Sequence, residues 1–333
     1  MATGSGAPNP LLQLTAMTAD LARVDAELRK AVETEDDLLT EIAAHLIKAG
    51  GKRLRPGFAI ASAAVGANEA GPASHDVVLG GVSVELVHLG SLYHDDVMDE
   101  AETRRTVDSV NARWGNLKAI LGGDFLLAKA SEIAAGLGTE VAGLLAATIA
   151  KLCEGQVREL RNIFNVGRSE ENYLGAIAGK TAALFAAATR IGGIVGGLPR
   201  ADIDRLTVFG TEYGMAFQIV DDILDVVSSE EELGKPSGND LMQGVYTLPV
   251  IRTLNGPDRD RLLPLLGRPL SKAEVEMPRS LVSDNGSIAD AVTTAHGYID
   301  RALDALAPLP DNDGTRALRG AAHHLLQTLP ATA

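Results

Sequence analysis

An acidic motif at the end of an apolar helical segment constrains the fold of this sequence most. The run HDDVMDEAETRR (94–105) places Asp95, Asp96 and Asp99 at positions i, i+1 and i+4. At about 100° per residue these carboxylates fan across one side of a helix, where they repel one another unless a cation compensates them. Carboxylate oxygens suit a hard ion such as Mg²⁺, which completes its shell with water and substrate phosphates. Alone, the motif is equally typical of a charged helix end in water.

A second run makes the solvated interpretation difficult. FQIVDDILDVV (217–227) repeats the same spacing at Asp221, Asp222 and Asp225, inside a strongly apolar segment. Charged side chains are almost never fully buried unless they are paired. Two matching trios on two apolar helices therefore predict a shared cavity, in which several Mg²⁺ ions hold one diphosphate.

Composition favours an all-α fold. Aromatic residues make up only 4% of the 333 residues, whereas 46% are hydrophobic, and alanine and leucine favour helices. No sustained period-2 alternation predicts a sheet. We expect one helical domain over residues 11–330, after a disordered tail at residues 1–10. Helices are predicted at about 15–32, 36–49, 77–97, 107–135, 139–163, 171–195 and 201–227, with shorter ones across 245–330.

Charge and cysteine content exclude several classes of protein. The net charge of −14 argues against nucleic acid and anionic membranes as partners. The single cysteine, Cys153, forms no intrachain disulfide and is expected at the core or its boundary. We find no apolar run of about 20 residues and no signal peptide, so we expect no transmembrane segment and a cytoplasmic protein.

Basic residues supply a candidate phosphate site. GGKRLRP (50–56) offers Lys52 and Arg55 directly after two glycines, which let a backbone approach an anion closely. We interpret Arg53, in the same run, as a surface charge. Lys180 is the only charged residue within an apolar stretch, where an unpaired ammonium is costly, so we expect it to bind an anion. Further candidates are His88, Arg104, Arg105, Thr181, Gln218 and Lys235.

Together these motifs resemble the trans-isoprenyl diphosphate synthases, also called polyprenyl synthetases. The matching runs cover most of residues 45–252 in family order: GGKRLRP, HDDVMDEAETRR, GDFLLAKA, GKT, FQIVDDILD, GKPSGNDL and TLPV. The resemblance implies a single-domain helical barrel around a central cavity, normally a homodimer. It also implies Mg²⁺-dependent head-to-tail condensation of isopentenyl diphosphate onto an allylic diphosphate.

The resemblance also assigns a role to each matching residue. Mg²⁺ would be ligated by Asp95, Asp99 and Asp221, with Asp96, Asp222 and Asp225 in support. Isopentenyl diphosphate would be held by Lys52, Arg55, His88 and Arg105. The allylic diphosphate would be held by Arg104, Lys180, Thr181, Gln218 and Lys235. The candidate catalytic residues are Asp95, Asp99, Asp221, Lys180 and Arg104. One departure is Val245, where many members carry a lysine, so we expect weaker binding of the allylic diphosphate.

Small residues one turn before Asp95 bear on product length. Short-chain members of the family typically place an aromatic floor there, whereas this chain has Gly90 and Ser91. We therefore expect an open tunnel and a long product, of the kind used for a quinone (menaquinone) side chain. Peripheral membrane contact would serve product release. Tyr93 is interpreted as a packing residue.

Three alternatives stay open from the sequence. A geranylgeranyl diphosphate synthase would need a tunnel floor from another helix. A terpene cyclase shares the α fold and one aspartate motif, but it needs no isopentenyl diphosphate site. A non-catalytic partner subunit or helical scaffold would not need two intact acidic trios.

Overall fold

Helices account for nearly all of the regular structure in the computed structural model, which describes residues 9–67, 71–228 and 237–329. After a 3₁₀ turn at Pro10–Gln13, the first half contains α1 (Met17–Ala31), α2 (Asp37–Lys48), α3 (Leu54–Ala64), α4 (His75–Met98), α5 (Val110–Trp114), α6 (Asn116–Gly136) and α7 (Thr139–Leu160). The all-α fold class predicted from the sequence is confirmed.

The second half continues with α8 (Glu170–Ile177), a π-helical segment (Ala178–Ala182), α9 (Ala183–Val195) and the long α10 (Arg200–Val227). Shorter helices follow: α11 (Asn239–Gln243), α12 (Leu248–Asn255), α13 (Arg259–Leu262), a 3₁₀ turn (Leu263–Leu265), α14 (Glu276–Asp284), α15 (Ser287–Leu306) and α16 (Asp313–Gln327).

Two core helices carry the acidic motifs at their carboxyl ends. Helix α4 packs against α3, α6 and α9, and α10 packs against α9 and α15. Val82, Leu86 and Leu89 of α4 are fully buried, as are Ile219 and Ile223 of α10. Helix α9 contacts both of these helices and connects them within the core.

Helix α4 is long and apolar enough to cross a membrane by composition alone, and it is the one such helix within the described ranges. Its apolar window is 72% buried inside the protein, as expected for a core helix.

Helix ends follow local chemistry. The Asp36 carboxylate accepts from the Leu39 amide at 2.9 Å, which caps α2, and the Ser74 hydroxyl caps α4 in the same way. Gly50 has a φ of +83° just after α2, so the helix ends where the predicted helix over 36–49 does.

Two expectations about local structure were wrong. The predicted helix over 107–135 is a two-stranded hairpin (β1, Thr103–Arg104; β2, Val107–Asp108) followed by two helices. Gly115, with a φ of +86°, separates α5 from α6 because only glycine adopts that conformation easily. Cys153, expected at the core or its boundary, is exposed on α7.

Candidate active site

The first acidic trio lies where α4 ends and the hairpin begins. Asp96 is fully buried, and its Oδ1 accepts from Arg104 Nε at 2.8 Å. The other carboxylate oxygen of Asp96 is buried without a hydrogen-bond partner. Asp95 is half-buried and Asp99 is exposed. The hairpin therefore brings Arg104, expected to hold the allylic diphosphate, into direct contact with Asp96.

Lys180 lies beside this trio on the π-helical segment. Its ammonium is 3.2 Å from Glu159 Oε1 of α7. Burial opposes the charge of Lys180, but Glu159, Asp95 and Asp99 outweigh it and raise the lysine pKa. Sequence reasoning missed Glu159, whose signal was a polar pair, Gln156 and Glu159, three residues apart on one helix face.

Close backbone packing fixes the π-helical segment against α7. A Cβ on Gly155 would lie 2.4 Å from the Lys180 backbone nitrogen, and one on Gly179 would lie 2.7 Å from the Lys151 carbonyl oxygen. Only glycine fits at this distance, so these two positions hold Lys180 close to Glu159.

The second trio is built into a hydrogen-bonded chain. Asp222 is buried and accepts from Tyr173 Oη at 2.5 Å and from Gln218 Nε2 at 2.8 Å. Thr181 Oγ1 donates to Gln218 Oε1 at 2.7 Å. The structure thus brings together Thr181, Gln218 and Asp222, which the sequence proposed as one site, and adds Tyr173, which it missed. The signal for Tyr173 was its place on the same apolar segment as Lys180.

Asp225 has a different surrounding. Its Oδ2 accepts from the Asp240 amide at 3.1 Å, and its carbonyl accepts from the Gly238 amide at 2.7 Å. The buried Asp225 side chain therefore holds the start of α11. Asp221, by contrast, is exposed.

The electrostatics connect the two trios. Burial raises the pKa of Asp95 to about 6, with Lys180 opposing the shift and Asp99 and Glu159 adding to it. Burial also raises the pKa of Asp222 to about 7, and Glu159 acts in the same direction. Since Glu159 acts on Asp95 and on Asp222, the two acidic clusters face one common region.

A cationic pocket lies alongside α4. Arg55 extends over the Phe185 ring, with 4.7 Å from Cζ to the ring centroid, and its Nε is buried without a hydrogen-bond partner. Burial lowers the pKa of His88 well below its usual range, and the charges of Arg55 and Arg105 lower it further. The structure therefore brings together Arg55, His88 and Arg105, which the resemblance assigned to isopentenyl diphosphate. Arg105 also donates from Nη1 to the carbonyls of Leu46 and Gly50.

The remaining basic residues of the predicted phosphate sites lie in different surroundings. Lys52 is exposed. Arg53, interpreted from the sequence as a surface charge, is only 5% exposed and bonds to Asp25 and Glu85, so that interpretation was wrong. Lys235 lies outside the described residues.

The two small residues before Asp95 have different surroundings. A Cβ on Gly90 would lie 3.0 Å from the Gly123 carbonyl oxygen and 3.2 Å from Leu127 Cγ, so α6 packs where an open tunnel wall was expected. Ser91 is half-buried and donates to the His88 carbonyl at 2.8 Å. Tyr93 is fully buried and donates to the Ile42 carbonyl, so its predicted packing role is confirmed.

Comparison with known proteins identifies the family. Residues 36–281 match the polyprenyl synthetase family model. The chain is 43% identical to nonaprenyl diphosphate synthase of Mycobacterium tuberculosis, over 91% of this chain and 90% of that protein.

Solved structures agree. A decaprenyl diphosphate synthase from Rhodobacter capsulatus superposes with a TM-score of 0.87 at 35% identity, covering 96% of this chain and 98% of that one. A Caulobacter crescentus polyprenyl synthase, complexed with calcium and isoprenyl diphosphate, gives a TM-score of 0.88 at 33% identity. The match covers 97% of this chain and 98% of that one. This chain is a member of the polyprenyl synthetase family.

Proposed function

We propose that the protein is an all-trans polyprenyl diphosphate synthase that extends an allylic diphosphate with isopentenyl diphosphate to a long-chain product. The observation that carries this proposal is the convergence of both acidic trios on Glu159, with Lys180 beside the first trio and a separate cationic pocket alongside. Two cationic regions suit two diphosphate substrates, whereas a terpene cyclase needs only one. The long-chain relatives support the product class.

The residues fit divalent metal ions. Asp96 keeps one buried oxygen without a hydrogen-bond partner, and crowding by Asp99 disfavours the charged form of Asp95 beyond the effect of burial. Within the described ranges, no three His, Cys, Asp or Glu side chains are arranged to hold a metal ion unaided. Mg²⁺ typically takes one or two carboxylates and completes its shell with substrate phosphates. We assign Asp95, Asp99 and Asp221 as ligands, with Asp96, Asp222 and Asp225 in support.

The cations of the chain stabilise the leaving group. When bound, Mg²⁺ supplies electrostatic stabilisation of the charge that develops on the diphosphate oxygens. Lys180 and Arg104 stabilise the same charge as the allylic C–O bond breaks, with Thr181, Gln218 and Lys235 orienting the diphosphate. In the absence of substrate, Lys180 pairs with Glu159 and Arg104 with Asp96, so we expect both to reorient toward the diphosphate.

The second cationic region orients the nucleophile. We assign Lys52, Arg55, His88 and Arg105 to the diphosphate of isopentenyl diphosphate. Its double bond attacks the allylic cation and forms the new C–C bond, and a proton is then lost, for which the released diphosphate is a suitable base. Rings of Phe58, Phe185, Tyr213 and Phe217 pack against one another, with Phe185 under Arg55, and we expect them to help exclude water from the cation.

Product length is proposed to depend on Ser91. Gly90 packs against α6, so a larger residue there would displace a helix before it shortened a tunnel. A Ser91→Phe protein should make shorter products than wild type if the growing chain passes this position. Products of unchanged length would remove Ser91 from the argument.

We further propose a cytoplasmic homodimer that releases a lipid product for a quinone side chain, with peripheral membrane contact at release. The large exposed apolar residues of α6 support a dimer: Leu117, Ile120 and Leu121.

The experiment is a product assay. Purified protein is incubated with Mg²⁺, labelled isopentenyl diphosphate and a panel of allylic primers, and the products are sized. We expect products longer than geranylgeranyl diphosphate, and loss of activity with retained folding in Asp95→Ala and Asp221→Ala. Products that stop at geranylgeranyl diphosphate would indicate the short-chain alternative. A cyclic hydrocarbon product would indicate a terpene cyclase. A folded protein that makes no product would indicate a non-catalytic partner subunit.

A further inference from the structure

A buried carboxylate lies among the arginines of the cationic pocket. Glu85, on α4 one turn before His88, is 2% exposed. Arg55 is buried nearby: burial lowers its pKa to about 10, and the Glu85 charge opposes that shift. Burial likewise lowers the pKa of Arg105, again against Glu85. Glu85 is therefore close enough to act on both arginines that we assign to isopentenyl diphosphate.

A third arginine holds this carboxylate. Arg53 Nη1 donates to Glu85 Oε1 at 2.9 Å, and its Nε donates to Asp25 Oδ1 at 2.8 Å. Its Nη2 donates to the Ile47 carbonyl at 3.1 Å, at the end of α2. The residue adopts a φ of +46°, in the left-handed region that non-glycine residues rarely occupy. Three partners on three helices thus fix the Arg53 guanidinium, which cannot also turn toward a substrate.

This arrangement keeps Glu85 from pairing with Arg55. A carboxylate and a guanidinium bind each other strongly at low dielectric, and a diphosphate would compete with Glu85 for the same donors. With Glu85 held by Arg53, Arg55 keeps a buried Nε without a hydrogen-bond partner. No carboxylate among the described residues pairs with that donor.

We propose that Arg53 is a positioning residue that sequesters Glu85, so that this carboxylate does not pair with Arg55 or Arg105 and compete with the diphosphate of isopentenyl diphosphate. The inference rests on the proposed function, because it assumes that Arg55 and Arg105 bind that substrate. Without Arg53, Glu85 pairs with Arg55 or Arg105 and competes with the diphosphate. The defect is then one of competition, and removing the Glu85 charge should relieve it.

The test compares Arg53→Gln, Glu85→Gln and the double variant, by the KM for each substrate and by calorimetric binding of isopentenyl diphosphate alone. For Arg53→Gln we expect the KM for isopentenyl diphosphate to rise about tenfold, with the KM for the allylic substrate within about twofold of wild type. The double variant should recover most of the isopentenyl diphosphate affinity, which a merely structural loss would not allow. Arg23→Gln, which breaks the remote ion pair with Asp20, should lower the melting temperature without changing either KM.

Two results would overturn the proposal: an equal rise of both KM values in Arg53→Gln, or no recovery in the double variant. Arg55→Gln separates this outcome from failure of the proposed function. If Arg55→Gln leaves isopentenyl diphosphate binding unchanged, the site assignment fails. If it weakens binding while Arg53→Gln does not, only the role of Arg53 fails. Circular dichroism confirms folding of each variant.

Discussion

At the scale of single residues, the site is dominated by carboxylates that burial makes hard to ionise. Asp222 has buried hydrogen-bond donors in Tyr173 and Gln218, but these do not compensate its burial. Its pKa of about 7 means that the folded protein holds a proton there which the unfolded chain releases near pH 4. A carboxyl group with a raised pKa destabilises the folded protein at any pH at which the unfolded chain has already released the proton.

The raised pKa of Asp222 sets the direction in which the stability of the protein changes with pH. The folded state binds more protons than the unfolded state between about pH 4 and 7, so stability falls as pH rises through that window. In metal-free protein we expect the part of this fall due to Asp222 to be on the order of 2 kcal/mol between pH 5 and 8. The Asp222→Asn protein should not show this part of the fall in stability. The measurement is denaturant unfolding at each pH in a buffer that contains a chelator.

Asp260→Asn, at an exposed position on α13, is the matched control and should keep the wild-type pH dependence. An Asp222→Asn protein whose stability falls with pH as steeply as wild type would show that this carboxyl is not protonated near neutral pH.

Val245 offers a gain-of-function prediction at the same scale. It is half-buried after α11, and its amide donates to the Asp240 carbonyl at 2.8 Å. Restoring the lysine typical of the family adds a charge-assisted contact, so Val245→Lys should lower the KM for the allylic diphosphate about threefold to tenfold. Val245→Met, similar in length but uncharged, should not. Equal KM values for both variants would mean that this position does not face the diphosphate.

At the scale of elements, two glycines decide how α7 meets the π-helical segment. A methyl group on Gly155 would contact the Lys180 backbone, whereas a methyl group on Gly143 of the same helix meets nothing within 4 Å. The pair separates the effect of packing from the effect of helix propensity.

Gly155→Ala should therefore destabilise the protein by about 1–3 kcal/mol and raise the KM for the allylic substrate, because Lys180 is displaced. Gly143→Ala should be neutral or stabilising by up to about 1 kcal/mol, since alanine favours a helix interior. Thermal unfolding and steady-state kinetics measure both effects. Equal behaviour of the two variants would contradict a close approach at Gly155.

Among the helices, hydrophobic periodicity in the sequence was enough to predict the long core helices. The helices that end in the acidic trios were predicted within a few residues, because long apolar stripes make Val82 or Ile219 recognisable. The break at Gly115 was missed, since a single glycine inside an apolar pattern does not reveal its φ. The π-helical segment was missed because it changes helical phase without changing composition.

The site was predicted less evenly. Residues that stand out against apolar surroundings, such as Lys180 and the aspartates, were proposed from the sequence. Partners that look ordinary in sequence were not: Glu159 lies in a charged stretch, and Arg53 resembles any surface arginine until its three partners are seen. Such roles depend on contacts between helices distant in sequence, which no local pattern encodes.

At the scale of the whole molecule, α6 presents apolar residues that the folded chain does not cover. Leu117 is 72% exposed and Leu121 is 55% exposed, on a helix that also packs against α4. Helix α6 therefore links an apolar outer face directly to the helix that carries the first acidic trio.

We expect Leu121→Glu to shift the protein from dimer to monomer in light scattering, because a buried unpaired charge disfavours association. Met277→Glu, at an exposed apolar residue of α14, should leave the assembly unchanged. A wild-type protein that is monomeric at all concentrations, or a Leu121→Glu protein that remains dimeric, would place any interface elsewhere.

The wide turn over Ala178–Ala182 limits how this chain can vary. A π turn contains one residue more than an α turn, and every residue beyond it is rotated by about 100° relative to a continuous helix. Removing that residue would rotate Lys180 and α9 relative to each other. Either the Lys180 ammonium would then point away from Glu159, or the apolar face of α9 would point away from the core. Helix packing and the position of the Lys180 ammonium thus depend on the same inserted residue, and neither could lose it without harming the other.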